Sequence, residues 1–260
     1  MLRLRSILIC LALALGCNAS QPTLNSSEQN ACQPDQVITS WPKSIEAVAL
    51  SPSELVARQA SVKVLVPGMG RGSGTYFSYK GAHIVITAAH VVARAKSDWV
   101  WAVRGEDKSR GRIIYYDRKE DIAVLLVKPM KKVFPIELKI RSEMPTIGET
   151  LTYSGYPGHH DLLTLRGDVS GIEVLRGPTT KIVVHTYGWP GASGSCMFDT
   201  KGRLVGILVA IPVGRGYVPQ LLESMIYATP ANLLNLHELD KTLCKLEDEV
   251  RPSFCEDKAQ

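Results

Sequence analysis

The chain has 260 residues, 45% of them hydrophobic and 21% charged. That apolar content suffices for the core of one or two small domains and excludes intrinsic disorder as the overall state. Thirty Lys and Arg against 25 Asp and Glu give +5, or +3 once Arg3 and Arg5 leave with the N-terminal segment; so small an excess, with no basic block, excludes a dedicated nucleic-acid binder and implies no acidic partner.

Residues 1–17 carry two arginines, nine apolar residues from Ile7 to Leu15, and then small residues. This is the pattern of a signal peptide over residues 1–16, too short to span a bilayer as a stable helix. Two processing routes compete at its end. Ala14 and Gly16 suit ordinary cleavage, whereas Ala14-Leu15-Gly16-Cys17 also resembles a bacterial lipobox, in which lipidation of Cys17 would be the only tie to a membrane. The protein is thus expected to be exported: secreted, periplasmic or lipid-anchored. Export makes Cys32, Cys196, Cys244 and Cys255 disulfide candidates. Cys244 with Cys255 would pin the C-terminal tail, and Cys32 then pairs with Cys196 or stays free. No Cys-x-x-Cys pair occurs, which disfavours a zinc ribbon or thioredoxin chemistry.

Residues 17–50 are rich in Ser, Asn, Gln and Pro, the composition of a polar leader or tether. Ser51-Pro52-Ser53-Glu54 then supplies an N-cap, a first-turn proline and an N3 glutamate, predicting a short helix from Pro52 to Gln59. From Ser61 onward short β-type runs follow, at 61–66, 75–79, 83–87, 98–104, 112–117, 122–127, 149–155, 181–186, 196–199, 203–211 and 225–229. Val62, Val64 and Val66 alternate with period two, and long helices are absent between runs. This predicts an all-β fold, an antiparallel sandwich or barrel rather than a parallel strand–helix winding. Trp101 is placed in the core. Leu236, Leu239, Leu243 and Leu246 make one apolar stripe and predict a docked C-terminal helix.

Three segments carry chemistry. Ile86-Thr87-Ala88-Ala89-His90 puts a histidine directly after a buried-looking strand, among side chains small enough for another segment to approach the imidazole. Asp121 opens the apolar run Ile122-Ala123-Val124-Leu125-Leu126, where burial would fix its carboxylate. Gly188-Trp189-Pro190-Gly191-Ala192-Ser193-Gly194-Ser195 is a glycine-flanked turn that exposes Ser193. The three stand in the order His, Asp, Ser, 31 and 72 residues apart.

Together they resemble the trypsin-like serine peptidases, and within them the compact bacterial branch related to HtrA proteases and glutamyl endopeptidases. Further markers are Gly72-Ser73-Gly74-Thr75, Gly155-Tyr156-Pro157-Gly158, Gly167-Asp168-Val169-Ser170-Gly171, Gly206-Ile207 and Tyr227-Ala228-Thr229-Pro230. The likeness covers residues 61–235. It implies two antiparallel Greek-key β-barrels, 51–140 with the preceding helix and 141–235, then a C-terminal helix and tail at 236–260. Some 25 residues after the second barrel leave no room for a PDZ domain.

The same resemblance implies a serine endopeptidase acting on protein or peptide substrates through an acyl-enzyme, with no cofactor and no metal. His90 would accept and return the serine proton, since imidazole titrates at about pH 6.5. Asp121 would hold the ring tautomer, and the N–H groups of Gly191 and Ser193 the oxyanion. Tyr187, six residues before the serine, and Val209-Ala210-Ile211 would line the pocket for an uncharged, modest-sized P1 side chain. His185 reaches that pocket or is a satisfied barrel residue. Ala192 stands where animal relatives carry the aspartate of zymogen activation, so that switch is not expected. Cys196 is expected to be a buried small hydrophobe. Two other readings stay open, a catalytically silent binding module and an esterase using the same triad. The residues specify no oligomeric state.

Overall fold

The computed structural model describes residues 50–175, 179–214, 220–246 and 255; the expected signal peptide, the leader, Cys17 and Cys32 lie outside the described residues. The first element is the predicted helix, α1 (Pro52–Ala60). Its capping box is complete: Glu54 N donates to Ser51 Oγ, and Ser51 N donates to Glu54 Oε2 at 2.7 Å.

Six strands follow, β1 (Ser61–Val66), β2 (Gly70–Tyr79), β3 (Ala82–Thr87), β4 (Trp99–Arg104), β5 (Asp107–Asp117) and β6 (Ile122–Val127), with a one-turn helix α2 (Ala89–Val92) after β3. They close in the order β1-β4-β5-β6-β3-β2, and β7 (Ile136–Glu137) lies parallel on the edge of β2. The next strands are β8 (Thr150–Gly155), β9 (Leu163–Leu175), β10 (Thr179–His185), β11 (Cys196–Phe198) and β12 (Leu204–Ala210). A short pair, β13 (Val213–Gly214) and β14 (Gln220–Leu221), precedes β15 (Met225–Pro230). Here the closed order is β8-β11-β12-β15-β10-β9. Counted within each barrel, both orders read 1-4-5-6-3-2. The fourth strand returns beside the first in both, which is the Greek-key connection.

Alternation explains the two interiors. Val62, Val64 and Val66 point inward with Tyr76, Val85 and Leu125 in the first barrel, and Leu151, Tyr153, Ile182 and Leu208 fill the second. A third cluster draws on both barrels: Phe77, Ile84 and Ile86 meet Phe198, Leu204 and Ile207. It is roofed by α3 (Leu236–Cys244), capped by Asn235, whose Leu239 and Leu243 are wholly buried. Burying each leucine is worth about 1.5–3 kcal/mol. Tyr79, the last residue of β2, and Lys80 after it donate to Asp240 on the same helix. Of the pairings open to the four cysteines, Cys244 and Cys255 form a disulfide, and Cys196 is buried and unpaired among the described residues, its thiol pushed up to about 12 by burial. No helix among the described residues is long and apolar enough to cross a membrane.

Strand β9 and the residue Trp101 depart from the sequence reading, as do the two-residue strands β7, β13 and β14. β9 is absent from the apolar runs because most of its side chains lie at the surface; its pairing to β8 and β10 makes it a strand. Trp101 is not in the core. It is half-buried on β4, with Lys108 Nζ 3.8 Å above its ring.

Candidate active site

The end of β3 and the start of β6 are neighbours, with Thr87 opposite Ala123. That register carries the residues just outside the ladder, His90 and Asp121, into contact. Asp121 Oδ2 lies 2.7 Å from His90 Nδ1, Asp121 Oδ1 accepts from His90 N at 2.8 Å, and Asp121 O accepts from Ala89 N at 3.2 Å. A carboxylate only accepts, so Nδ1 donates to Asp121, and in the neutral ring this leaves the lone pair on Nε2. Asp121 pays for this grip with a left-handed backbone, φ +62°, a conformation that costs a non-glycine residue about 1 kcal/mol or more.

The serine turn joins β10 to β11. Ala192 N donates to Trp189 O and Ser195 N to Ala192 O, each at 3.0 Å, while Gly194 N reaches Leu208 O at 2.7 Å. Gly191 (φ +103°) and Gly194 (φ +90°) occupy positions that favour glycine. A Cβ at Gly194 would sit 2.2 Å from both Ser73 O and Thr87 Oγ1, and one at Gly191 would sit 2.7 Å from Tyr156 O. The small residue after the serine thus lets its turn press against the strand end that leads to His90.

Ser73 of β2 binds the turn to the first barrel. Its N–H donates to Ser193 O at 2.8 Å and its hydroxyl to Gly191 O at 2.7 Å, while it accepts from Tyr156 N at 2.9 Å. Thr87 Oγ1 donates to Ser73 O at 2.7 Å. A continuous path of bonds therefore runs from the strand before His90 to the peptides flanking Ser193. Pro190 O accepts from Gly158 N at 2.7 Å, which turns the amide of Gly191, on the other side of that trans peptide, away from Gly158. Among the described residues neither Gly191 N nor Ser193 N donates to a protein acceptor.

His90, Ser193 and Gly191 line one open cleft of about 470 Å³ between the barrels. Ser193 Oγ makes no hydrogen bond to His90 among the described residues; such bonds commonly tighten only when substrate is bound. Ser195, the other serine of the turn, is wholly buried and its Oγ has no partner. The expected P1 residues lie elsewhere than this cleft. Tyr187 and the exposed His185 line a separate groove with Arg166, Asp168 and Glu223. Ile211 packs beside Ile226 over Gly188, Val209 is buried and Ala210 is exposed. Among the described residues no cluster of His, Cys, Asp and Glu could hold a metal ion.

Sequence reading missed the supports. Ser73 was visible only as part of a glycine-flanked marker. Lys181, on β10, is almost fully buried and its Nζ donates to Thr229 Oγ1 at 2.6 Å and to Glu120 O at 3.3 Å. Thr229 Oγ1 also donates to Glu120 O, at 2.7 Å. Two groups of the second barrel thus hold the peptide whose far side is the φ bond of Asp121. Burial draws the Lys181 ammonium below its usual range, against the pull of Glu120, Asp121 and Asp117. A lone lysine at the head of Ile182-Val183-Val184 was its signal.

Residues 72–207 match the family described as the trypsin-like peptidase domain. The chain belongs to that family. It is 26% identical to Protease Do-like 1, chloroplastic, of Arabidopsis thaliana over 61% of this chain and 38% of that protein. It is 28% identical to the glutamyl endopeptidase of Staphylococcus epidermidis over 54% of each. The chain thus spans about two fifths to a half of the length of these curated relatives. Among solved structures, the Rv3671c protease of M. tuberculosis in its active form superposes with a TM-score of 0.58 at 20% identity, covering 75% of this chain and 84% of that one. The HtrA-type protease AlgW with tripeptide gives 0.58 at 22% identity, covering 70% and 60%. At these identities the structural likeness shows the fold.

Proposed function

We propose that this protein is an exported serine endopeptidase that cleaves peptide bonds through an acyl-enzyme. Ser193 Oγ attacks the scissile carbonyl while His90 Nε2 takes its proton. Asp121 keeps the proton on Nδ1 and stabilises the imidazolium that forms. The amides of Gly191 and Ser193 receive the tetrahedral oxyanion, a contribution of about 10²–10³ in rate per donor. His90 then gives its proton to the leaving amine, and water, activated by the same imidazole, releases the acyl group. Tyr187 and Val209-Ala210-Ile211 border an uncharged P1 side chain in this reading. The signal-like residues 1–16 support export, with Cys17 as the lipid anchor or the first mature residue.

The observation that carries the reading is the 2.7 Å contact of Asp121 Oδ2 with His90 Nδ1 at the cleft that Ser193 lines. A fluorophosphonate probe is expected to label Ser193, and Ser193→Ala to abolish labelling and peptide hydrolysis while the fold persists, because that side chain is small and lies on a turn. Wild-type turnover by the alanine variant would overturn the assignment. Absent labelling favours a silent binding module, and ester turnover without peptide turnover favours an esterase.

A further inference from the structure

The cleft of Ser193 and His90 is walled by charge of one sign. Arg71, at the start of β2, and Arg94, two residues after α2, both line it, and Arg118 lines the adjoining recess beside His90 and Asp121. The lining of the main cleft contains no carboxylate. Three arginines away from the cleft are held by carboxylates, Arg141 by Glu149, Arg166 by Glu54 and Arg203 by Asp199, and Arg58 and Arg104 are spent on backbone carbonyls. Arg71 and Arg94 have no ion pair among the described residues. Arg71 donates to Gly158 O, which seats its guanidinium at the cleft wall while its remaining N–H groups stay available. Two cations left unpaired beside a low-dielectric cleft wall set up a positive potential there.

The direction follows from the chemistry. After attack the acyl half stays on Ser193, and the leaving amine must take its proton from His90, so the leaving half of the substrate lies on the histidine side. The residues expected around P1, Tyr187 and Val209-Ala210-Ile211, line none of this cleft, whereas His90, Val91 and Arg94 do. We propose that Arg71 and Arg94 form a subsite for an acidic side chain one or two residues beyond the scissile bond, on the leaving-group side. This rests on the serine-peptidase reading and names the substrates it favours: proteins cut just before Asp or Glu. The guanidinium fork suits a carboxylate, which it meets with two parallel N–H bonds.

The test has two arms. Fluorophosphonate labelling of Ser193 is read first, since that probe has no residues on the leaving-group side. Cleavage of a denatured protein mixture, with cut sites read by mass spectrometry, is then expected to show Asp and Glu enriched, and Lys and Arg depleted, at the first two positions after the cut. Matched peptides that differ only there should favour Asp over Lys by about tenfold in kcat/KM, the size of a pair of exposed charge contacts. In Arg71→Gln and Arg94→Gln that ratio should move toward one, and salt at about 0.5 M should erode it in the wild type. Equal cleavage of Asp, Ala and Lys peptides by an enzyme that the probe labels overturns the subsite and leaves the peptidase reading standing. Absence of both labelling and cleavage overturns the peptidase reading, and the subsite with it.

Discussion

Four hydrogen bonds meet on Ser73: to Ser193 O, to Gly191 O, from Tyr156 N and from Thr87 Oγ1. Each joins segments distant in sequence, so this buried hydroxyl and its peptide hold the serine turn at a set distance from the strand before His90. The choice between Ser193 and Ser195 is also made residue by residue. Gly194 permits the close approach to Ser73 O and Thr87 Oγ1, and the next residue is thereby driven inside. Ser195 Oγ ends up buried without a partner, an arrangement that costs about 1–3 kcal/mol. Ser195→Ala keeps the Cβ and removes the orphaned hydroxyl, so it should raise stability by about 1 kcal/mol in urea unfolding. A loss of stability would mean that the hydroxyl is satisfied.

Helix α1 shows how an element is held by its ends. Glu54 closes the capping box and also receives Arg166 of β9 at 2.7 Å. The Arg166 guanidinium, with the Ser51 N–H, lowers its carboxyl from 4.5 to about 2. A carboxyl depressed on folding contributes stability that is whole above its unfolded value and is lost as pH falls toward its folded one. Glu54→Gln should therefore destabilise the protein by about 1 kcal/mol at neutral pH, a figure kept small because the pair is partly solvated. The difference should shrink between pH 4.5 and about 2. Urea midpoints of both proteins across that range test it, and a gap independent of pH would rule out the ionic contact. The same pairing explains why β9 can be a long strand with little apolar content: its partners β8 and β10, and contacts such as this one, supply what its own side chains lack.

Across the whole molecule, the two barrels share the cluster of Phe77, Ile86, Phe198 and Ile207, and they exchange polar holds at the cleft. Lys181 and Thr229 of the second barrel grip Glu120 O of the first, next to the left-handed Asp121. A strained residue persists only where its surroundings over-determine it. Lys181→Met keeps the apolar stem and removes the donor, so the Glu120–Asp121 peptide is freer to rotate. The expected result is a drop in kcat on the order of tenfold with KM little changed, as displaced catalytic groups produce. Thermal melting is followed in parallel, and undiminished kcat in a folded variant would show that the grip is not needed.

Much of this was legible along the chain because its causes are local. The capping box of Ser51 and Glu54 needs four residues, the alternation of Val62, Val64 and Val66 needs five, and the glycines around Ser193 announce a turn whatever surrounds them. The Cys244–Cys255 bridge closes an 11-residue separation; the sequence offered it as one of three pairings, and the fold selects it. Strand register, the left-handed Asp121, the meeting of Ser73 with the serine turn and the burial of Lys181 arise from contacts between residues tens of positions apart. Periodicity assigns a side chain to a face but never names the partner across it, and a polar residue in an apolar run reads the same whether it is solvated or clamped. The chain alone specified most of the barrel strands though not β9, the cap of α1 and the three candidate side chains; folding selected which peptide each of them leans on, because that depends on how two closed barrels meet.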